Sequence, residues 1–114
     1  MKTLFALPLT LALAGLAGSP VFAAEASYEL TIQNDGFSPA TLAIPAGERV
    51  KIVIKNARTL PSEFESAQLG REKVVPGGTT LALWVGPLKP GKYKFFDDFN
   101  PKAVGWIVAT PHKE

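Results

Sequence analysis

The chain has 114 residues, 46% hydrophobic and 19% charged, enough for one domain and too short for two. Its formal charge of +2 gives a nucleic-acid reading no support. Because it has no Cys, a single Met at Met1 and a single His at His112, thiolate nucleophiles, disulfides, cysteine zinc sites and copper centres that need a cysteine ligand are all excluded. A Ser/His/Asp triad would have to use His112, two residues from the end, a poor place to hold a base.

The chain opens with Lys2, an apolar run from Leu4 to Ala17, Gly18-Ser19-Pro20 and then Val21-Phe22-Ala23. This is the pattern of a secretory signal peptide cleaved after Ala23. The run is shorter than the roughly 20 apolar residues of a membrane span, and no later segment qualifies. Residues 1–23 are thus expected as leader and 24–114 as one periplasmic domain that does not span the membrane after cleavage. Removing Lys2 leaves 11 Lys+Arg against 10 Asp+Glu, a formal +1. A domain of about 90 residues without disulfides must rest on its hydrophobic core, which favours a regular two-layer β architecture.

In chain order, Tyr28 to Asn34 alternates, with Tyr28, Leu30 and Ile32 on one face. Asp35-Gly36-Phe37-Ser38-Pro39 breaks it. Thr41 to Ile44 is a short run ending at the turn Pro45-Ala46-Gly47, where Pro fixes φ and Gly can take φ > 0. Val50 to Lys55 alternates again and buries Val50, Ile52 and Ile54. A polar stretch through Pro61 leads to Glu63-Phe64-Glu65, where the period of two puts both carboxylates on one face and Phe64 on the other. Arg71 to Val75 is a short strand, and Pro76-Gly77-Gly78 turns into Thr79 to Val85, with Leu81, Leu83 and Val85 opposite Trp84. Gly86-Pro87-Leu88-Lys89-Pro90-Gly91 is the next turn. Tyr93 to Phe96 ends in Asp97-Asp98, and Gly105 to Thr110 is the last strand. Six or seven short strands separated by turn signals predict an all-β sandwich.

The stretch Gly36-Phe37-Ser38-Pro39-Ala40-Thr41-Leu42-Ala43-Ile44-Pro45-Ala46-Gly47-Glu48-Arg49-Val50, with the strand ending in Asn56, resembles the amino-terminal half of a cupredoxin. Pro90-Gly91-Lys92-Tyr93-Lys94-Phe95 and Gly105-Trp106-Ile107-Val108 resemble its closing half. The resemblance covers nearly all of the chain after residue 23 and implies a Greek-key β-sandwich of the cupredoxin type. It also marks departures. In cupredoxins a ligand His follows a Pro after the strand ending in Asn, and here Pro61 is followed by Ser62 and Glu63. The ligand Cys ends the strand matched by Tyr93 to Phe96, where this chain has Asp97 and Asp98, and the downstream His and Met are absent.

Ser62-Glu63-Phe64-Glu65-Ser66, the turn from Gly86 to Gly91 and Phe95-Phe96-Asp97-Asp98-Phe99 resemble the EfeO-type cupredoxin-like proteins, small periplasmic cupredoxins that accompany bacterial ferrous-iron permeases. That resemblance implies binding of a copper or iron ion, Fe(II) oxidation of a ferroxidase type or Fe(II) transfer, and two partners, a periplasmic iron-binding protein and an inner-membrane iron permease. In that topology Asp35, Glu63, Glu65, Asp97 and Asp98 converge at one pole. Converging like charges need a cation, and oxygen ligands without sulfur or imidazole suit iron, Mn(II), Ca(II) or Cu(II) in an open site. On pattern alone, the same residues read as solvated acids, Asp97-Asp98 a turn and Glu63/Glu65 an exposed strand face. Glu63 and Asp97 lie nearest the family's His and Cys; Glu65 shares the face of Glu63, and Asp98 points opposite to Asp97.

His112 follows a strand running away from that pole and is expected to be inert. Phe95, Phe96, Phe99 and Trp106 are expected in the core. Lys89, Lys92, Lys94 and Lys102 read as a solvated face, with an acidic partner as the alternative. The competing functional reading is a non-catalytic interaction module with a vestigial metal site. A small hydrolase has no base to run on.

Overall fold

The computed structural model describes residues 26–111. The expected leader, residues 1–23, and His112 lie outside the described residues. Nine strands follow in order: β1 (Ser27–Gln33), β2 (Gly36–Ser38), β3 (Thr41–Pro45), β4 (Val50–Asn56), β5 (Ser62–Ser66), β6 (Arg71–Val75), β7 (Thr80–Val85), β8 (Gly91–Asp97) and β9 (Asn100–Thr110). They form a four-stranded sheet, β2-β1-β4-β7, and a five-stranded sheet, β3-β9-β8-β5-β6. The fold is therefore the all-β sandwich that the patterning predicts. No helix among the described residues is long and apolar enough to cross a membrane.

The alternation decides which face each strand buries. Leu30 and Ile32 of β1, Val50, Ile52 and Ile54 of β4, and Leu83 and Val85 of β7 point into the sandwich from one sheet. Leu42, Ile44, Phe64, Val75, Phe95, Ile107 and Ala109 meet them from the other. Phe95 sits at the centre: Phe64 stacks on it with centroids 5.0 Å apart and Phe37 meets it edge-on at 4.8 Å. Such pairs add about 0.5–1.5 kcal/mol each beyond area burial. A Cβ at Gly105 would run into the Phe95 ring, so this strand position is glycine for lack of room.

Two elements differ from the expected ones. Gly36 to Ser38, read as a break, is β2, which folds back on β1 through the two-residue turn Asn34-Asp35 with Gln33 paired to Gly36. β9 begins at Asn100 rather than Gly105, because the β8–β9 hairpin shifts register between Phe96 and Asp97 and so tolerates Pro101 within the strand.

The aromatic residues also divide differently from the expected common core. Phe95 is buried, but Trp106 is 38% exposed and Phe99 53% exposed. Phe96 and Trp106 occupy the alternate positions of β8 and β9, so the same period that buries Phe95 turns them to the outer face.

Candidate metal centre

β1 and β4 run parallel with Ile32 beside Asn56, and the Ala57 N–H donates to the Ile32 carbonyl at 2.9 Å. Their ends, the start of β5 and the end of β8 form one pole. Asn56 is fully buried and shapes the loop after β4: its Nδ2 donates to the carbonyls of Leu60 and Val75, both at 2.9 Å, and its Oδ1 accepts the Arg58 N–H at 2.9 Å. Arg58 then lies across the pole. Its Nη1 donates to Ser62 Oγ at 3.2 Å and its Nε to Asn34 Oδ1 at 3.4 Å.

Asp97, 1% exposed, completes this network. Its Oδ1 accepts the backbone N–H groups of Glu63 and Phe99, each at 2.9 Å, and its Oδ2 lies 3.9 Å from Arg58 Nη1. A buried carboxylate is costly unless paired and hydrogen-bonded, and both conditions are met here by the chain itself. The donor set does not fit a blue-copper centre. Asp97 and Ser62 offer a carboxylate held by main-chain N–H groups and a hydroxyl that accepts from a guanidinium, and the chain has no cysteine.

The other carboxylates lie elsewhere. In β5, Ser62, Phe64 and Ser66 are buried while Glu63 and Glu65 are half-buried on the outer face of the five-stranded sheet. Asp97 pairs in register with Phe64 and so shares its inward face. Glu65 is flanked by Glu72 of β6 on one side and Phe96 of β8 on the other, with Glu63 diagonal to Glu72. One carboxylate oxygen from each of Glu63, Glu65 and Glu72 lies within 4.8 Å of the others.

Asp98 joins this face. Its N–H donates to the Glu63 carbonyl at 2.9 Å, which sets its carboxylate beside that of Glu63. Glu63 is raised above the ordinary glutamate value of 4.5 by desolvation on the sheet face, then by the charges of Glu72, Asp98 and Glu65. Glu65 is raised by desolvation, then by Asp98 and Glu72. Both shifts have the same physical origin, partial desolvation on the sheet face followed by the crowding of like charges. Asp35 occupies the exposed β1–β2 turn and is not part of the three-glutamate group.

Of the five residues singled out from sequence, the structure thus brings Glu63, Glu65 and Asp98 together. It places Asp97 on the opposite face of the sheet and Asp35 in a separate turn. Glu72 was missed, although reading Ala67 to Gly70 as the turn of a β5–β6 hairpin pairs it directly with Glu65. Arg58 and Asn56 carried no motif. Their partners are backbone groups and residues up to 39 positions away, Arg58 to Asp97 being the longest link.

The chain matches the family described as "Cupredoxin-like domain" over residues 4–109 and belongs to it. It is 37% identical over 83 residues to an uncharacterized protein of Rickettsia prowazekii (strain Madrid E), covering 72% of this chain and 66% of that protein's length. Among solved structures it is similar to a purple cupredoxin from Nitrosopumilus maritimus, with a TM-score of 0.59 and 23% identity over 72% of this chain and 98% of that one. It is also similar to the metal-binding domain of the Cu(I)-exporting P-type ATPase CopA of Streptococcus pneumoniae D39, with a TM-score of 0.66 and 14% identity over 74% of this chain and 84% of that one. Auracyanin A of Chloroflexus aurantiacus gives a TM-score of 0.64 with 15% identity over 76% and 100%. These structural likenesses concern the fold.

Proposed function

We propose that this cupredoxin-like protein is a periplasmic metal-binding protein of a ferrous-iron uptake system, holding an iron or copper ion on the outer face of its five-stranded sheet. The observation that carries this reading is the convergence of Glu63, Glu65 and Glu72 oxygens within 4.8 Å, with Asp98 alongside. Three carboxylates without sulfur or imidazole are hard ligands, suited to Fe(II), Fe(III) or an open Cu(II) site. The half-exposed position leaves coordination positions for water and allows a bound ion to be passed to an iron-binding protein or a permease.

The reading assigns binding and delivery ahead of oxidation. Carboxylates favour Fe(III) over Fe(II), but the electron released in Fe(II) oxidation needs an acceptor. With no Cys and no Met beyond Met1, the chain lacks soft ligands to stabilise Cu(I) in that role. The test is anaerobic Fe(II) and Cu(II) titration of the metal-stripped protein by calorimetry. Saturation near one equivalent supports the site, and affinity no greater than that of unrelated acidic proteins refutes it.

A second reading, an interaction module whose ancestral pole has lost its metal, is favoured by the Arg58–Asp97 contact that supplies the pole with its own cation. Val74 and Phe99, 46% and 53% exposed, lie on β6 and in the β8–β9 turn as apolar surface for a protein contact. Failure of metal titration together with capture of the iron-binding partner would establish this reading.

A further inference from the structure

The opposite side of β6 carries a different chemistry. The two sheets end side by side at β6 and β7, and between them lies an open cleft of about 500 Å³ lined by Arg49, Arg71, Lys73 and Trp84 among others. Trp84 organises it. Arg49 places its guanidinium carbon 4.5 Å from the Trp84 ring centroid, and Lys51, the register partner of Trp84, places its Nζ at 5.9 Å. From across the cleft, Arg71 donates from Nε and Nη2 to the Trp84 carbonyl at 3.2 and 2.8 Å. Lys73 follows Arg71 by two residues and so faces the same side of β6.

Four cations therefore gather about Trp84, Arg49 and Lys51 at its ring, Arg71 at its carbonyl and Lys73 in the lining of the cleft, in a protein that carries a formal charge of only +2. Among the described residues, the one cation within 4 Å of a carboxylate is Arg58, so none of these four has an ion-pair partner. Glu72 is the only acid lining the cleft, and it contributes an oxygen to the Glu63–Glu65 group on the outer sheet face. Concentrated, unpaired positive charge in a concave site attracts anions, and guanidinium forks match carboxylate and phosphate oxygens bidentately. The Arg71 bonds to the Trp84 carbonyl also block that part of the β7 edge against an added strand. The cleft volume is that of a small-molecule site.

We propose that this cleft binds a small oligoanion carrying two or more carboxylate or phosphate groups, held by Arg49, Arg71 and Lys73 beside Trp84, with Lys51 adding positive charge at the ring. The cleft shares only Glu72 with the carboxylate cluster, and the proposal does not rest on the metal reading. Citrate and pyrophosphate serve as the carboxylate and phosphate probes, and acetate as the monoanion control at matched ionic strength. The readout is fluorescence of the Trp106→Phe protein, in which Trp84 is the only indole.

The expected result is saturable change in Trp84 emission with citrate or pyrophosphate and not with acetate, the responding probe identifying the anion class. Arg49→Gln and Lys73→Gln, exposed positions whose loss leaves the Arg71 staple in place, are each expected to weaken binding about tenfold. Unchanged thermal melting of these variants shows that the fold is retained. Equal response to acetate, affinity unaltered in both variants, or binding of an acidic heptapeptide with no response to either small probe would overturn the proposal.

Discussion

Asp97 Oδ1 accepts the backbone N–H of Glu63 at 2.9 Å, while the Glu63 carboxylate stands on the other face of the same sheet. The two acids that the sequence suggested as the leading metal ligands are thus joined through main chain and separated as carboxylates. One belongs to a buried network that Arg58 neutralises; the other belongs to a surface group with Glu65 and Glu72.

This relationship predicts unequal substitutions at Asp97. Asp97→Ala leaves two N–H groups at a buried position unpaired and is expected to cost about 3 kcal/mol in urea unfolding. Asp97→Asn keeps an acceptor for both and is expected to cost about 1 kcal/mol. Equal losses would show that the hydrogen bonds of Oδ1 are not what the site depends on.

Arg58→Met removes the cation beside Asp97 while keeping the aliphatic stem. Breaking a buried pair from one side leaves an uncompensated charge, so a loss of about 3 kcal/mol is expected. The double variant Arg58→Met/Asp97→Asn is expected to lose less than the sum of the singles, a coupling that the same unfolding series measures.

At the centre of the core, Gly105→Ala drives a methyl into the Phe95 ring, which Phe64 and Phe37 hold in place. Overpacking of this kind costs about 1–3 kcal/mol. Phe95→Ala opens a cavity instead and is expected to cost about 3–5 kcal/mol. In the pair Gly105→Ala/Phe95→Leu, the smaller side chain makes room and recovers part of the first loss.

The carboxylate group gives a pH signature with a definite sign. Glu63 and Glu65 bind protons more tightly in the fold than in the unfolded chain. Their contribution to stability is therefore present below the ordinary value of 4.5 and is lost as pH rises through the raised folded values. Against the wild type, Glu63→Gln/Glu65→Gln is expected to gain relative thermal stability as pH rises from about 4 to 7. A difference constant across that range would contradict the shifts.

Much of the sandwich was legible because half-buried strands write their period into the sequence. Leu30/Ile32, Val50/Ile52/Ile54 and Glu63-Phe64-Glu65 each show which side faces inward. The three-residue β2 was too short to show a period, and Pro101 concealed the start of β9. At the pole, composition excluded a cysteine-ligated metal, yet it carried no sign that Arg58 would supply the cation. That role depends on Asn56 folding residues 56–60 so that the guanidinium meets Ser62 and Asp97. Glu72 was hidden for a similar reason: its place beside Glu65 is set by hairpin register and not by spacing along one strand.

The central claim is that a metal ion binds the outer-face carboxylates and not the pole. Anaerobic Fe(II) titration by calorimetry of the wild type, Glu63→Gln/Glu65→Gln/Glu72→Gln and Asp97→Asn, each checked for folding by circular dichroism, separates the two places directly. The account predicts saturable binding near one equivalent in the wild type and in Asp97→Asn, and its loss in the triple variant. Binding retained by the triple variant and lost in a folded Asp97→Asn protein would contradict it.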